Sequence, residues 1–433
     1  MKLPKVIKEN LLLKMTSLNA GVIGIRLFVS LFIQRLLAEM VGEVGISKIG
    51  QLRNLMQLLT SITSGGIFNG IVKYVSEYKE DKEQLQKLFS TAFLIGIIGS
   101  LVSFFVLFFS ASFISQYLFD SEDYIFLIKL LAVIVPFISL QRIFNGVING
   151  LSQYKKFAKI DLISYLLSAM ILVYALFNYS LIGVLFAIAL TPVIQLGVLL
   201  LIFVKVLNEY VQFSKLKIQT AFLKGLLAFA LMSFISTVLL NLVEIDIRTM
   251  IRNKITEEDA GIWTAMTNVS KNYMVFSISI FSLYVLPKFA SIHKKNEFKS
   301  ELLSIYKTLL PIFGIGMIIV YFLREFVILL IYPDFTGMEI LFKWQLMGDF
   351  VRLASLVLMH QFLAKKLVRS FIFSELLSLG MFYFLANYLV LIYGVEGVVM
   401  AHLFRYIIYF FVVLYLVMRY FKKQKYKELK ESE

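Results

Sequence analysis

The chain is a succession of long apolar runs joined by short polar links. A membrane-spanning helix needs about 20 mostly apolar residues. Twelve runs meet that length, at 11–38, 44–76, 87–115, 123–151, 157–177, 180–207, 218–243, 258–290, 300–331, 337–364, 368–392 and 395–420. Runs such as Thr91–Ser110 are continuously apolar and do not alternate, which argues against the strands of a β-barrel. The expected fold is an all-α polytopic membrane protein with twelve transmembrane helices.

The links alternate in charge. One set carries Lys2, Lys5 and Lys8, then Lys79, Lys82 and Lys87, then Lys155, Lys156 and Lys159. It continues through Lys205, Lys215 and Lys217, Lys288 to Lys299, Lys365, Lys366 and Arg369, and the basic tail after Arg419. The other set offers Glu39 and Glu43, Asp120 to Asp123, Asn178 to Ser180, and Glu396. Only the link holding Arg248, Arg252 and Lys254 breaks this order, and Glu257, Glu258 and Asp259 balance it. Basic links stay cytoplasmic, so both termini are expected inside, in the cytoplasmic (inner) membrane. The N-terminal basic segment leads into a run too long for a signal peptide, and that run holds Arg26. It reads as a retained first span.

The polar link Asn208–Thr220 splits the chain into 1–209, with spans one to six, and 210–433, with spans seven to twelve and the tail. Six spans is an even number, so the two halves point the same way. They are expected to be two six-helix lobes related as a parallel pseudo-repeat around a central cavity.

Composition narrows the function. Hydrophobic residues make up 59%, charged residues 16%, and the mean hydropathy is +0.82. A soluble domain averages about half apolar and a quarter charged, so a water-soluble protein is excluded. The net charge of +15 would suggest nucleic acid in a soluble chain. Here the cations sit in the links, beside anionic membrane lipid, and no nucleic-acid partner is expected. With no cysteine and three dispersed histidines, His293, His360 and His402, neither a disulfide nor a metal site is expected. No nucleotide-binding P-loop pattern occurs, and no cofactor is expected.

Polar residues inside the spans carry the candidate chemistry, because charge in lipid is costly. Span one has Asn19 and Arg26; span two has Arg53, Asn54, Gln57, Thr60, Ser61 and Ser64. Span four has Arg142, Asn145, Asn149 and Ser152; span eight has Thr264, Asn268 and Lys271. Span ten has Gln345, Asp349, Arg352 and Ser355. The steps of three and four place each set on one helix face. Asp349 and Arg352 are spaced for a local ion pair, Arg142 for snorkelling, and the hydroxyl stripes for helix packing. Asp161, Glu375 and Arg405 are placed to pair within a lobe. Arg26, Arg53, Lys271 and Arg352 still outnumber the acids at mid-depth, and such a surplus calls for a wet cavity. Arginine forks bind phosphate in two-pronged fashion, so an anionic substrate is expected. Trp263 and Trp344 are read as interface anchors, with stacking on a sugar as the alternative.

Gly65-Gly-Ile-Phe-Asn-Gly-Ile-Val-Lys-Tyr-Val-Ser-Glu-Tyr, with Arg53 upstream, forms an ordered set with Gly261-Ile-Trp, Tyr284, Leu286-Pro287 and Trp344-Gln-Leu-Met-Gly-Asp349. Over nearly the whole chain this set resembles the Wzx-type flippases of the multidrug/oligosaccharidyl-lipid/polysaccharide exporter superfamily, above all the lipid III flippases of enterobacterial common antigen. The resemblance implies two six-helix lobes and a central cavity. It implies transport of undecaprenyl-pyrophosphate-linked oligosaccharide, including O-antigen-type substrates, from the cytoplasmic to the periplasmic leaflet by alternating access. It also implies glycan polymerase and chain-length regulator proteins as partners. Arg26, Arg35, Arg53 and Arg352 match basic positions, and Asp349 and Glu375 match acids, which makes the two acids candidates for coupling to an ion gradient. Lys271 departs from the pattern, which holds an acid there, consistent with a different sugar. The expected substrate-binding set is Arg26, Arg53, Asn54, Gln57, Arg142, Asn145, Asn268, Lys271, Gln345 and Arg352. Alternatives are a drug/cation antiporter of the same superfamily, which wants an acidic cavity, and a membrane glycan polymerase or ligase, which wants a long external catalytic loop.

Overall fold

A computed structural model describes residues 11–212 and 218–431. Lys2, Lys5, Lys8, Lys215 and Lys217 lie outside the described residues, as do the side chains of Asn19, Lys425, Lys427 and Lys430. The described residues form helices and short links, with no strand among them. In chain order these are α1 (Leu11–Thr63), α2 (Phe68–Tyr78), α3 (Lys82–Phe109), α4 (Ala111–Phe119), α5 (Ile125–Gly150), α6 (Tyr154–Tyr210) and α7 (Leu223–Lys254). They continue as α8 (Glu257–Ile280), a π turn (Phe281–Val285), α9 (Leu286–Ser291), α10 (Lys295–Phe322), α11 (Arg324–Ile331), α12 (Glu339–Ala364) and α13 (Val368–Glu431). Seven helices among the described residues are long and apolar enough to cross a membrane.

Three of these helices are each interrupted at a single residue of positive φ: Gly42 in α1 (63°), Ser180 in α6 (52°) and Gly394 in α13 (58°). Each falls in a link that the charge pattern set between two spans. In α6 a Cβ on Gly183 would lie 2.6 Å from the Ala175 carbonyl oxygen, and in α13 a Cβ on Gly397 would lie 2.2 Å from that of Leu389. Eight residues along a straight helix are about 12 Å apart. The chain therefore doubles back at Ser180 and at Gly394, and each long helix is a tight hairpin of two apolar segments.

The run 44–76 is not one helix. It breaks at Ser64–Ile67, where Gly65 and Gly66 take φ of 54° and 67°, a conformation glycine adopts without steric cost. The run 258–290 stays helical but carries a π turn, Phe281–Val285, before Pro287. The link predicted around Arg248 is helical instead. α7 runs on to Lys254, and Arg248 is 2% exposed, donating from Nε to Thr264 Oγ1 at 2.7 Å. Trp263, expected at an interface, is buried, with the Arg248 guanidinium 5.2 Å from its ring centre.

The chain divides into two compact units: 1–41 with 48–245, and 42–47 with 246–433. The first unit has a core built where α2, α3, α5 and α6 meet, including Ile71, Val75, Phe89, Val147 and Phe203. Its closest approach is set by small residues, as is common between membrane helices. A Cβ on Gly146 would lie 2.9 Å from Ile71, and one on Gly150 2.6 Å from Val75. This Gly-x-x-x-Gly stripe lets α2 lie directly against α5. In the second unit α12 packs closely on α13, with Gly348 against His402.

Candidate functional site

The Gly146–Gly150 stripe continues one turn back to Arg142, since positions four apart share a helix face. Phe68 stands one turn before Ile71 on α2. The register that puts Ile71 on Gly146 and Val75 on Gly150 therefore puts Phe68 under Arg142. The guanidinium carbon lies 4.0 Å from the Phe68 ring centre, within cation–π range. Arg142 lines a cavity of about 230 Å³ with Gln57, Thr60, Ser61 and Ser64 of the α1 end, Gly66, Phe68 and Asn69 at the break, and Thr237 of α7. No carboxylate or hydrogen-bond acceptor among the described residues engages Arg142.

The break supplies more than room. Irregular backbone at membrane depth is tolerated where it lines a cavity. α2 begins here without a side-chain cap, and the first N–H groups of a helix have no acceptor within it. They carry partial positive charge. The hydroxyls along α1 are held by their own helix: Thr60 Oγ1 donates to the Met56 carbonyl at 2.8 Å and Ser64 Oγ to that of Thr60 at 2.7 Å. Ser139 Oγ donates to the Thr63 carbonyl at 3.2 Å and ties α5 to the break. A guanidinium, a helix N-terminus and a hydroxyl-lined wall together suit a phosphate-bearing anion.

The other candidates of the first unit are differently occupied. Arg26 Nη1 is 2.6 Å from Asp161 Oδ2, with the Tyr165 ring 4.9 Å from its guanidinium. Asn54, 4% exposed, donates to Asn241 Oδ1 at 3.2 Å and Glu244 Oε2 at 2.8 Å. Arg53 is half-buried beside it on α1, and Asn145 offers its carbonyl to Asn149 at 2.8 Å.

In the second unit the polar residues converge on one carboxylate. Asp349 of α12 is fully buried. Its Oδ2 accepts from Ser270 Oγ at 2.5 Å, from the Tyr273 hydroxyl, and from Gln345 Nε2 at 3.0 Å. Its Oδ1 faces His402 Nε2 at 3.1 Å and Arg352 Nη1 at 3.6 Å. An ionised carboxylate is an acceptor only, so it selects the His402 tautomer that carries its proton on Nε2. Three helices, α8, α12 and α13, are pinned together through this one group. Glu375 accepts from the Tyr409 hydroxyl at 2.7 Å. Asn268 reaches the Tyr332 hydroxyl at 3.4 Å, and Lys271 is exposed. Trp344 donates from Nε1 to Glu396 at 2.6 Å.

The sequence pattern thus marked residues of two separate sites. It named Gln57 and Arg142 at the cavity and had the hydroxyl stripe, but missed the break at Gly65–Gly66 and the part played by Asn69. It named Asp349, Gln345 and Arg352, but missed Ser270, Tyr273 and His402. The Gly146–Gly150 spacing was the signal that would have placed Arg142 against α2.

Residues 12–293 match the family model described as "Polysaccharide biosynthesis protein". The lipid III flippases of Escherichia coli strain K12 and Shigella flexneri are each 28% identical over 391 residues, covering 89% of this chain and 93% of theirs. Among solved structures, an inward-facing multidrug resistance MATE family transporter of the MOP superfamily aligns with a TM-score of 0.75 at 13% identity, over 92% of this chain and 96% of that one. The lipid II flippase MurJ in an inward closed conformation aligns with a TM-score of 0.70 at 16% identity, over 92% and 87%. At such identity the structures speak for the fold alone, which this chain shares with both. The family match spans more than half of the sequence, and on that ground the chain belongs to the polysaccharide biosynthesis protein family.

Proposed function

We propose that this protein is a flippase, a transporter and not an enzyme, that moves an undecaprenyl-pyrophosphate-linked oligosaccharide from the cytoplasmic to the periplasmic leaflet of the inner membrane. The family, the two relatives named lipid III flippase and the fold shared with a lipid II flippase support this reading. The observation that carries it is the cavity beside Arg142. Multidrug transporters share the fold equally well, so the fold does not discriminate between the two substrate classes; charge does. A drug cation would meet the guanidinium of Arg142 with no acid lining the cavity among the described residues, whereas a diphosphate would find a fork donor and uncapped N–H groups.

In this reading the chain has twelve spans in two six-helix lobes, 1–209 and 210–433, with both termini cytoplasmic. The basic links and the even number of spans support that arrangement. The cavity then lies toward the cytoplasmic ends of α1 and α5, where a lipid-linked substrate is first met. Transport proceeds by alternating access, and glycan polymerase and chain-length regulator proteins act downstream. Of the expected set, the partly exposed Arg53, Asn145, Asn268 and Lys271 contribute to glycan contacts, and Asp349 and Glu375 to ion coupling.

The test is export of lipid-linked glycan at matched membrane levels of protein. A charge-assisted hydrogen bond contributes about 2 kcal/mol, so Arg142→Ala should slow export on the order of tenfold or more. Arg142→Lys keeps the charge without the fork and should fall between. Wild-type export by Arg142→Ala would remove the basis of the reading.

A further inference from the structure

The second unit carries an apolar groove of about 720 Å³ between α10, α12 and α13, whose lining does not include the residues of the Asp349 cluster. Its walls include Gly314 and Tyr321 of α10, Met347 and Phe350 of α12, and Ile407 of α13, and Lys343 stands at one end. Along α12 the groove runs from Lys343 to Val351. Eight residues of helix span about 12 Å, less than half of a hydrocarbon core about 30 Å thick. The groove therefore ends within one leaflet.

Lys343 has no carboxylate within ion-pair distance among the described residues; its Nζ lies 4.8 Å from the Trp344 ring centre. It is exposed, about one turn inside the start of α12 at Glu339. The other cation at this rim is already engaged: Arg324 Nη2 is 2.7 Å and Nε 2.9 Å from Glu339 Oε1. Trp344 and Tyr321 at this rim are of the residue types enriched where helices meet lipid headgroups. A cation on a lipid-facing surface at that depth calls for an interfacial anion.

We propose that the groove is a binding site for one anionic phospholipid, its acyl chain between α10 and α12 and its phosphate on Lys343. Two features support it independently. The groove is the length of a chain segment in a single leaflet, and its headgroup end holds a cation without a carboxylate. Gly314 keeps the floor open, since a Cβ there would sit 3.3 Å from the Phe350 ring. The proposal does not depend on the transported substrate.

Native mass spectrometry of the purified full-length chain tests it, with phosphatidylglycerol, phosphatidylethanolamine and a polyprenyl phosphate added separately and in competition. The wild type should retain one phosphatidylglycerol in preference to phosphatidylethanolamine by about fivefold, the value of one interfacial lysine. Lys343→Gln should abolish that preference, and Gly314→Leu should reduce binding of both phospholipids. Phosphatidylglycerol should raise the thermal midpoint of the wild type and not of Lys343→Gln, which keeps the test valid if Gly314→Leu folds poorly. Equal retention of the two phospholipids, or unchanged preference in Lys343→Gln, would overturn the proposal. So would displacement of phosphatidylglycerol by the polyprenyl phosphate at equal concentration, which would assign the groove to that lipid instead.

Discussion

The cavity beside Arg142 and the cluster around Asp349 handle charge within a membrane protein in opposite ways. Asp349 is saturated: hydroxyls, an amide, an imidazole and a guanidinium from three helices surround one carboxylate. Arg142 packs on the Phe68 ring and lines the cavity, and no acceptor among the described residues engages it. A saturated charge holds helices together. A cation left with donors to spare binds something else. Both residues lie on apolar helices at similar sequence spacing from polar neighbours, so the difference comes from what the fold brings to each.

Replacing Asp349 should have the largest effect. Asp349→Asn leaves Arg352 without its anion and turns part of a donor set against another donor. Breaking a buried pair costs about 3 kcal/mol or more, and the midpoint of thermal unfolding in detergent should fall accordingly. The same variant should export with a flattened pH profile where it folds, because no ionisable group remains at that position. A stability equal to wild type would show that the cluster is not the fastener described here.

The next effect acts on the position of Arg142 and not on its charge. Gly150→Val forces side-chain atoms into Val75 and toward the Val72 carbonyl, 2.6 and 2.9 Å from a Cβ at that site. Overpacking of this kind costs about 1–3 kcal/mol. It should also move α2 away from α5, so export should drop with Arg142 itself intact. If export is unchanged, the Gly-x-x-x-Gly stripe does not set the cavity.

Arg26 should matter least. It is paired with Asp161, but both side chains are about a third or more exposed, at 42% and 32%. Exposed pairs contribute roughly 0.5 kcal/mol. Arg26→Ala and Asp161→Asn should each change stability within that range and slow export far less than Arg142→Ala. An export defect in Arg26→Ala as deep as that of Arg142→Ala would put the anion site on both arginines and erase the contrast.

Much of this was legible in the sequence. The apolar runs marked the helices because only a helix satisfies its own backbone in lipid. The i, i+3 and i, i+4 spacings gave the Asp349–Arg352 pair, and Asp161, read as able to pair with a neighbour, pairs with Arg26. Less legible was which cation stays available. Arg26 and Arg53 belonged to the mid-depth surplus expected to meet an anion, while Arg142 was also spaced for snorkelling. Pairing depends on residues far apart in sequence, and no local spacing relates Arg26 to Asp161, 135 residues away.

The sequence by itself determined the class of the protein: apolar content, helical length and the placement of cations in alternate links admit little but a polytopic helical membrane protein. It also placed links between spans where the structure has the positive-φ residues Gly42, Ser180 and Gly394. Only the tertiary structure decided that the glycine pair opens a cavity, that His402 and Tyr273 complete the Asp349 cluster, and that Arg142 keeps its donors. Each outcome depends on which helix face meets which. In an apolar chain many faces are similar enough that close packing, not hydropathy, makes the choice.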